Sequence, residues 1–152
     1  MRKGILIAVS VTLLAGLFVS SVLVGSASAT ARRTATLTGA KEVPGPGDPN
    51  GTGKAVVKVS PSEGKVCFRL QWNNIRNPRM AHIHRGTRDV AGDVKITLFD
   101  RTVRQDSIRG CVKGVARKLL RRIRNNPLRF YVNIHNRPYP DGAIRGQLRR
   151  PL

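Results

Sequence analysis

All three histidines of the chain fall in two short segments, AHIHRG at Ala81–Gly86 and YVNIHNRPYPDGAIRGQ at Tyr131–Gln147. His82 and His84 are two residues apart, so an extended strand sends both to one face and Ala81 and Ile83 to the other. The second segment alternates likewise, with Val132 and Ile134 on one side and Tyr131, Asn133 and His135 on the other. If the two strands share a sheet, or meet at one end of a barrel, the three imidazoles converge. Three neutral imidazole nitrogens are a donor set for Cu or Zn. The metal reading therefore takes His82, His84 and His135 as ligands.

A second reading spends the same rings on structure. In it, His82 and His84 hydrogen-bond to the loop Arg137–Gly142 and to Gln147 or Arg145, as buried polar groups must. Asn133, Asp141, Arg145 and Gln147 then form one polar network. Arg145 either pairs with Asp141 or Asp93 inside the fold or donates to an acidic ligand. The His-x-His spacing also resembles the copper ligands of Cu/Zn superoxide dismutase, another β-sandwich family. Without a fourth histidine or a zinc-loop cluster, that match covers only part of the ligand set. It leaves dismutation at a copper-only site as a remote option.

Other chemistries lack their parts. There is no G-x-S-x-G turn for a hydrolase nucleophile, no phosphate-cradling G-x-x-x-x-G-K and no dinucleotide fingerprint. Asp89, Asp93 and Asp141 lie near the histidine segments in sequence, but nothing marks two of them as a glycosidase pair. The sequence favours a binding or structural role over an enzymatic one.

Charge is the strongest compositional signal. Lys and Arg total 28 against 8 acids, a formal +20. Such a field attracts polyanions: nucleic acid, anionic lipid, acidic wall polymers or acidic glycans. Arg2 and Lys3, the apolar stretch after them and Ala27-Ser28-Ala29 read as a secretory signal over residues 1–29, leaving a mature domain at 30–152. Retained instead, the apolar stretch is long enough to act as an anchor. Export gives Cys67 and Cys111 an oxidising compartment, where the pair allows one intramolecular disulfide. Closing that loop is worth about 4 kcal/mol on the chain-entropy model.

The elements that must position these groups are short β-rich runs punctuated by Gly, Pro and Asn. Strands are predicted at Thr34–Thr38, Lys54–Ser60, Lys65–Asn73, the histidine segment, Asp93–Phe99, Ser107–Lys113, Arg129–His135 and Ala143–Leu148. Lys41–Gly53 carries too much Pro and Gly for regular structure and is predicted to be a loop. Pro61–Gly64 turns a hairpin. Phe68 and Trp72 are expected to anchor the core, and Val94, Ile96 and Leu98 to face inward. One helix is predicted over Val115–Arg124, with Val115, Leu119, Leu120 and Ile123 as its apolar stripe. Its other face carries Arg117, Lys118, Arg121, Arg122 and Arg124, a solvated surface or an anion-binding one. The fold class is all-β: an antiparallel sandwich or Greek-key barrel, immunoglobulin-like or superoxide-dismutase-like, with one short helix.

LTGAKEVPGPGDPNGTGKA, AHIHRG, YVNIH and PDGAIRGQL, in this order, resemble the blocks of the CHRD domain, found in chordin and in many secreted microbial proteins. The resemblance covers Thr34–Leu148 and implies an extracellular all-β domain. The cysteines in VCF and GCV look like the pair in many bacterial members. Asn136 stands where the family has Thr, Ala143 where it has Glu, and Gly45–Pro49 replaces a second proline or Thr-rich run. Chordin's antagonism of growth-factor signalling does not transfer to a single domain. The expectation is a secreted binding or structural module that engages anionic surface partners. The alternative is a small exported metalloprotein holding Cu or Zn.

Overall fold

A computed structural model describes residues 30–152; the signal segment expected at 1–29 lies outside the described residues. Eight antiparallel strands form one sheet that curls into a nearly closed barrel, with one short helix. The strands are β1 (Ala31–Thr38), β2 (Thr52–Ser60), β3 (Lys65–Asn73), β4 (Met80–Arg85), β5 (Val94–Asp100), β6 (Ser107–Val112), β7 (Phe130–His135) and β8 (Ile144–Gln147). Their order across the sheet is β5-β4-β7-β8-β1-β2-β3-β6. β1, β2 and β3 form a meander and β4 and β5 a hairpin. β6 then crosses to β3, and β7 crosses back to lie beside β4 as a Greek-key return. The sandwich alternative gives way to a single curved sheet.

Alternation fills the barrel. Val66, Phe68, Leu70 and Trp72 of β3 point inward, as do Ala55, Val57 and Val59 of β2. Ala81, Ile83, Val132, Ile134 and Ile144 complete the wall on the β4-β7-β8 side. Cys67 and Cys111 face each other in the β3–β6 register and are disulfide-bonded, stitching the edge strand β6 to the sheet.

Three local expectations need correction. Val94 is 48% exposed rather than inward-facing. The β4–β5 register shifts between Ala81 and His82 and again between Ile83 and His84, which carries Val94 out of the inward phase kept by Ile96 and Leu98. The stretch Lys41–Gly53 is not wholly irregular: Gly39–Lys41 makes one helical turn, and β2 begins at Thr52. The helix, α1, spans Arg117–Asn125 instead of beginning at Val115. The Val115 amide donates to Gly64 at the β2–β3 turn, and Ala116 is extended, so neither joins the first helical turn.

α1 has no capping side chain and no acid in its first turn, so packing must hold it. Leu120 and Ile123 are buried in the core, and the Arg33 guanidinium donates to the Arg124 carbonyl at the helix end. Phe130, after the helix, starts β7 at this end of the barrel, and β7 runs to His135 at the other.

Candidate metal centre

The β4–β7 register places Met80 opposite His135, His82 opposite Asn133 and His84 opposite Tyr131. β8 adds Arg145 opposite Asn133 and Gln147 opposite Tyr131. His82, His84, Tyr131, Asn133, His135, Arg145 and Gln147 therefore share the outer face of the barrel wall whose inner face is apolar. That outer face is covered. All six residues of β7 are buried, and His84 and His135 are only 8% and 6% exposed.

The cover is made of backbone. A strap from Gly86 to Gly92 crosses the face and offers carbonyls to it. Gly92 accepts from His84 Nδ1 at 2.7 Å and from the Tyr131 hydroxyl at 3.4 Å. Thr87 and Val90 accept from Arg145 Nη2 at 2.8 and 2.9 Å, and Gly86 accepts from Gln147 Nε2 at 2.6 Å. Gly92 must be glycine, because a Cβ there would run into the Arg85 carbonyl. From the other side Pro140 accepts from His135 Nδ1 at 2.9 Å.

These carbonyls fix the tautomers. A carbonyl only accepts, so Nδ1 carries the proton in both His84 and His135. The Nε2 of His84 is buried with no partner. The Nε2 of His135 lies 3.0 Å from His82 Nδ1 and 3.0 Å from Asn133 Oδ1, so a neutral His135 requires the Asn133 amide turned to present its NH2 to that nitrogen. One nitrogen from each ring can be chosen so that all three lie within 4.8 Å of one another. Tetrahedral ligation with Zn–N near 2.0–2.1 Å needs nitrogens about 3.3 Å apart.

Electrostatics keep the rings neutral. Burial, then His135 and His84 nearby, push the His82 pKa down to about 4. Burial likewise lowers His84, against the raising effect of the Gly92 carbonyl and the Asn133 side chain, and lowers His135, against the raising effect of the Pro140 carbonyl. Neutral rings with Nδ1 anchored on a carbonyl are the state that offers Nε2 to a metal.

The expected polar network differs in its details. His135, rather than His82 or His84, reaches the loop Arg137–Gly142. Arg145 pairs with neither Asp141 nor Asp93. It donates to strap carbonyls and lies 3.4 Å over the Tyr131 ring, which in turn stacks on His84 at 4.7 Å. Asp93 binds Lys95 instead, and Asp141 is exposed. Arg117, Lys118, Arg121 and Arg122 of α1 are exposed and Arg124 is half-buried, at the far end of the barrel from His135.

Two contributors were invisible to residue spacing. Tyr131 was placed on the right face, but its stacking needed the register. Glu42 was assigned no role. It is 6% exposed, and burial pushes its carboxyl up to about 8, against the lowering effect of Arg145. Gly142 lies directly under the Glu42 carboxyl and at φ +150°, so no side chain fits there. The one available signal was an acid between the apolar and Gly/Pro residues of the KEVPGPG run.

Among known protein families, a model of the CHRD domain fits residues 33–148. No curated protein and no solved structure matches the chain.

Proposed function

The chain belongs to the CHRD domain family, and from that premise we propose that it is an extracellular module binding one Zn(II) or Cu(II) ion through His82, His84 and His135. The observation that carries this reading is the commitment of both Nδ1–H groups to backbone carbonyls. It turns the Nε2 atoms of His84 and His135 away from those carbonyls, and one nitrogen from each of the three rings can be chosen so that all lie within 4.8 Å of one another. A purely structural histidine network would be expected to spend both nitrogens of each ring, and the Nε2 of His84 is buried unspent. Three protein nitrogens leave a fourth position for water or an external ligand. The disulfide and the A-x-A signal pattern support export.

Isothermal titration of tag-free protein with Zn(II) and Cu(II) tests the proposal. One ion per chain at sub-micromolar affinity is expected, lost in His84→Ala and weakened only as pH falls below the ordinary imidazole range toward the depressed His82 value of about 4. Weak binding that is unchanged in His82→Ala, His84→Ala and His135→Ala would leave a polar network and no metal centre.

A second reading rests on α1. Arg117, Lys118, Arg121 and Arg122 project into solvent, and α1 carries no acid among them. They suit a module that docks on acidic cell-surface polymers. Binding to such a polymer should weaken steeply with salt, and replacing Arg117, Arg121 and Arg124 should flatten the dependence.

A further inference from the structure

A second cluster of polar groups lies on the same sheet, beyond the histidines. Between β1, β8 and the strap is a cleft of about 310 Å³ lined by Lys41, Arg88, Arg145 and Arg149, with Thr36 and Gln147 between them. No acidic residue lines it. The four cations come from four separate segments. Lys41 ends the helical turn after β1, Arg88 sits on the strap, Arg145 is in β8 and Arg149 follows β8. Each is held by its surroundings. Lys41 Nζ donates to Thr36 at 2.9 Å. The backbone of Arg149 exchanges hydrogen bonds with Thr34 at 2.8 and 3.0 Å. The strap that carries Arg88 is bound by Arg145 and Gln147.

Arg145 is the informative member. It is 1% exposed, yet among the described residues no carboxylate pairs with it. Its bonds run to two neutral carbonyls and a tyrosine face, and its Nη1 is buried without a partner. Asp89 is near but exposed, and it does not line the cleft. Glu42, the buried acid in its neighbourhood, is itself held toward its protonated form. A buried guanidinium without a counter-charge is destabilising, and gathering three more cations beside it adds repulsion. The crowding is felt at Lys41, where burial and then Arg149 and Arg88 hold the ammonium below its usual range. An anion in the cleft relieves all of these costs together.

We propose that this cleft is a binding site for a phosphate- or sulfate-type oxyanion, taken as an ester group on a small molecule or at the end of a polymer. A carboxylate satisfies one guanidinium fork, whereas a tetrahedral oxyanion offers oxygens to several donors converging from different sides. The Thr36 hydroxyl supplies a neutral donor beside the charges. The site adjoins the histidine face through Arg145, which lies over the Tyr131 ring stacked on His84, but takes no histidine as a donor.

Calorimetry on the protein as its host processes it, at fixed ionic strength, tests the site with inorganic phosphate, sulfate and acetate. One phosphate or sulfate per chain is expected, bound at least tenfold more tightly than acetate. Whichever oxyanion is preferred identifies the ester class. Arg88→Ala and Arg149→Ala remove exposed side chains, so a matching melting temperature shows that the fold is intact. Each should weaken binding at least fivefold. Arg117→Ala with Arg121→Ala on the helix, and His82→Ala at the candidate metal centre, should leave it unchanged. Acetate bound as tightly as phosphate would overturn the proposal. So would equal losses in the helix and cleft variants, which would mean diffuse attraction to a basic surface.

Discussion

The two faces of β4, β7 and β8 are both buried, yet they are built on different principles. Inside, Ala81, Ile83, Val132, Ile134 and Ile144 fill space against the opposite wall. Outside, His82, His84, Tyr131, Asn133, His135, Arg145 and Gln147 are held by directional bonds to chain that passes over them. The inner face tolerates exchange of one hydrocarbon for another of similar volume. The outer face has no such latitude, because each group faces one particular acceptor. What the difference teaches is that alternation reports which residues share a face and says nothing about whether that face is covered. β7 alternates like a half-buried strand and is buried on both sides.

The sharpest way to break the contrast is to read metal affinity after changing one residue on each face. His84→Ala should cut Zn(II) or Cu(II) affinity at least a hundredfold, whereas Ile83→Val, its neighbour in β4, should leave affinity within twofold. Loss of affinity in both, measured by titration well below the melting temperature, would merge the two faces into one structural unit.

Stability is the next discriminator. Ile134→Ala empties a fully buried position and should cost about 2–5 kcal/mol in chemical denaturation. Asn133→Ala, adjacent on the outer face, should cost about 1–3 kcal/mol by orphaning its hydrogen-bonding partners. Equal costs would say that the outer face is packed rather than bonded.

Charge regulation separates the faces further, because only the outer side and its covering loops titrate. In metal-free protein His82 has a folded pKa of about 4 against 6.5 for a free imidazole. Between those values the unfolded chain binds more protons, so stability falls as pH drops from about 6.5 toward 4. Glu42 acts with the opposite sign. Its folded pKa of about 8 exceeds the ordinary 4.5, so the folded chain binds more protons and stability falls as pH rises through that window. Glu42→Gln should remove the alkaline loss and add on the order of 2 kcal/mol at pH 7. Denaturation curves of both proteins across pH 4–9 check the two signs, and an unaltered alkaline limb would mean that Glu42 is ionised in the fold.

The smallest effect is expected where neither principle operates. Arg121→Ala on the solvated face of α1 should change stability by no more than about 0.5 kcal/mol. It should leave metal binding alone and register only in the salt dependence of polyanion binding.

Much of this arrangement was legible in the sequence. Period-two alternation located every strand and assigned the histidines to one face, and four ordered blocks indicated the family. What escaped depends on segments distant in the chain. The two register shifts beside His82 and His84 turned Val94 outward, and no local pattern encodes a shift in the partner strand. Arg145 was given Asp141 or Asp93 because acids can be seen in a sequence, whereas the carbonyls of Thr87 and Val90 look like any others. Glu42 gains its role from Gly142, a hundred residues away. The helix lost Val115 because its amide is spent on Gly64, a contact that helical periodicity does not foresee.

The Gly86–Gly92 strap carries one more consequence. It serves the face beneath it with main-chain atoms, and those atoms are the same whatever side chains Thr87, Arg88, Asp89, Val90 and Ala91 carry. Natural variation and laboratory diversification can therefore act on these five positions while Gly86 and Gly92 keep the crossing in place. The strap separates a fixed scaffold function from a variable display surface, as the loops of a binding scaffold do. Libraries randomised at residues 87–91 should return folded variants with intact histidine geometry and altered ligand preference.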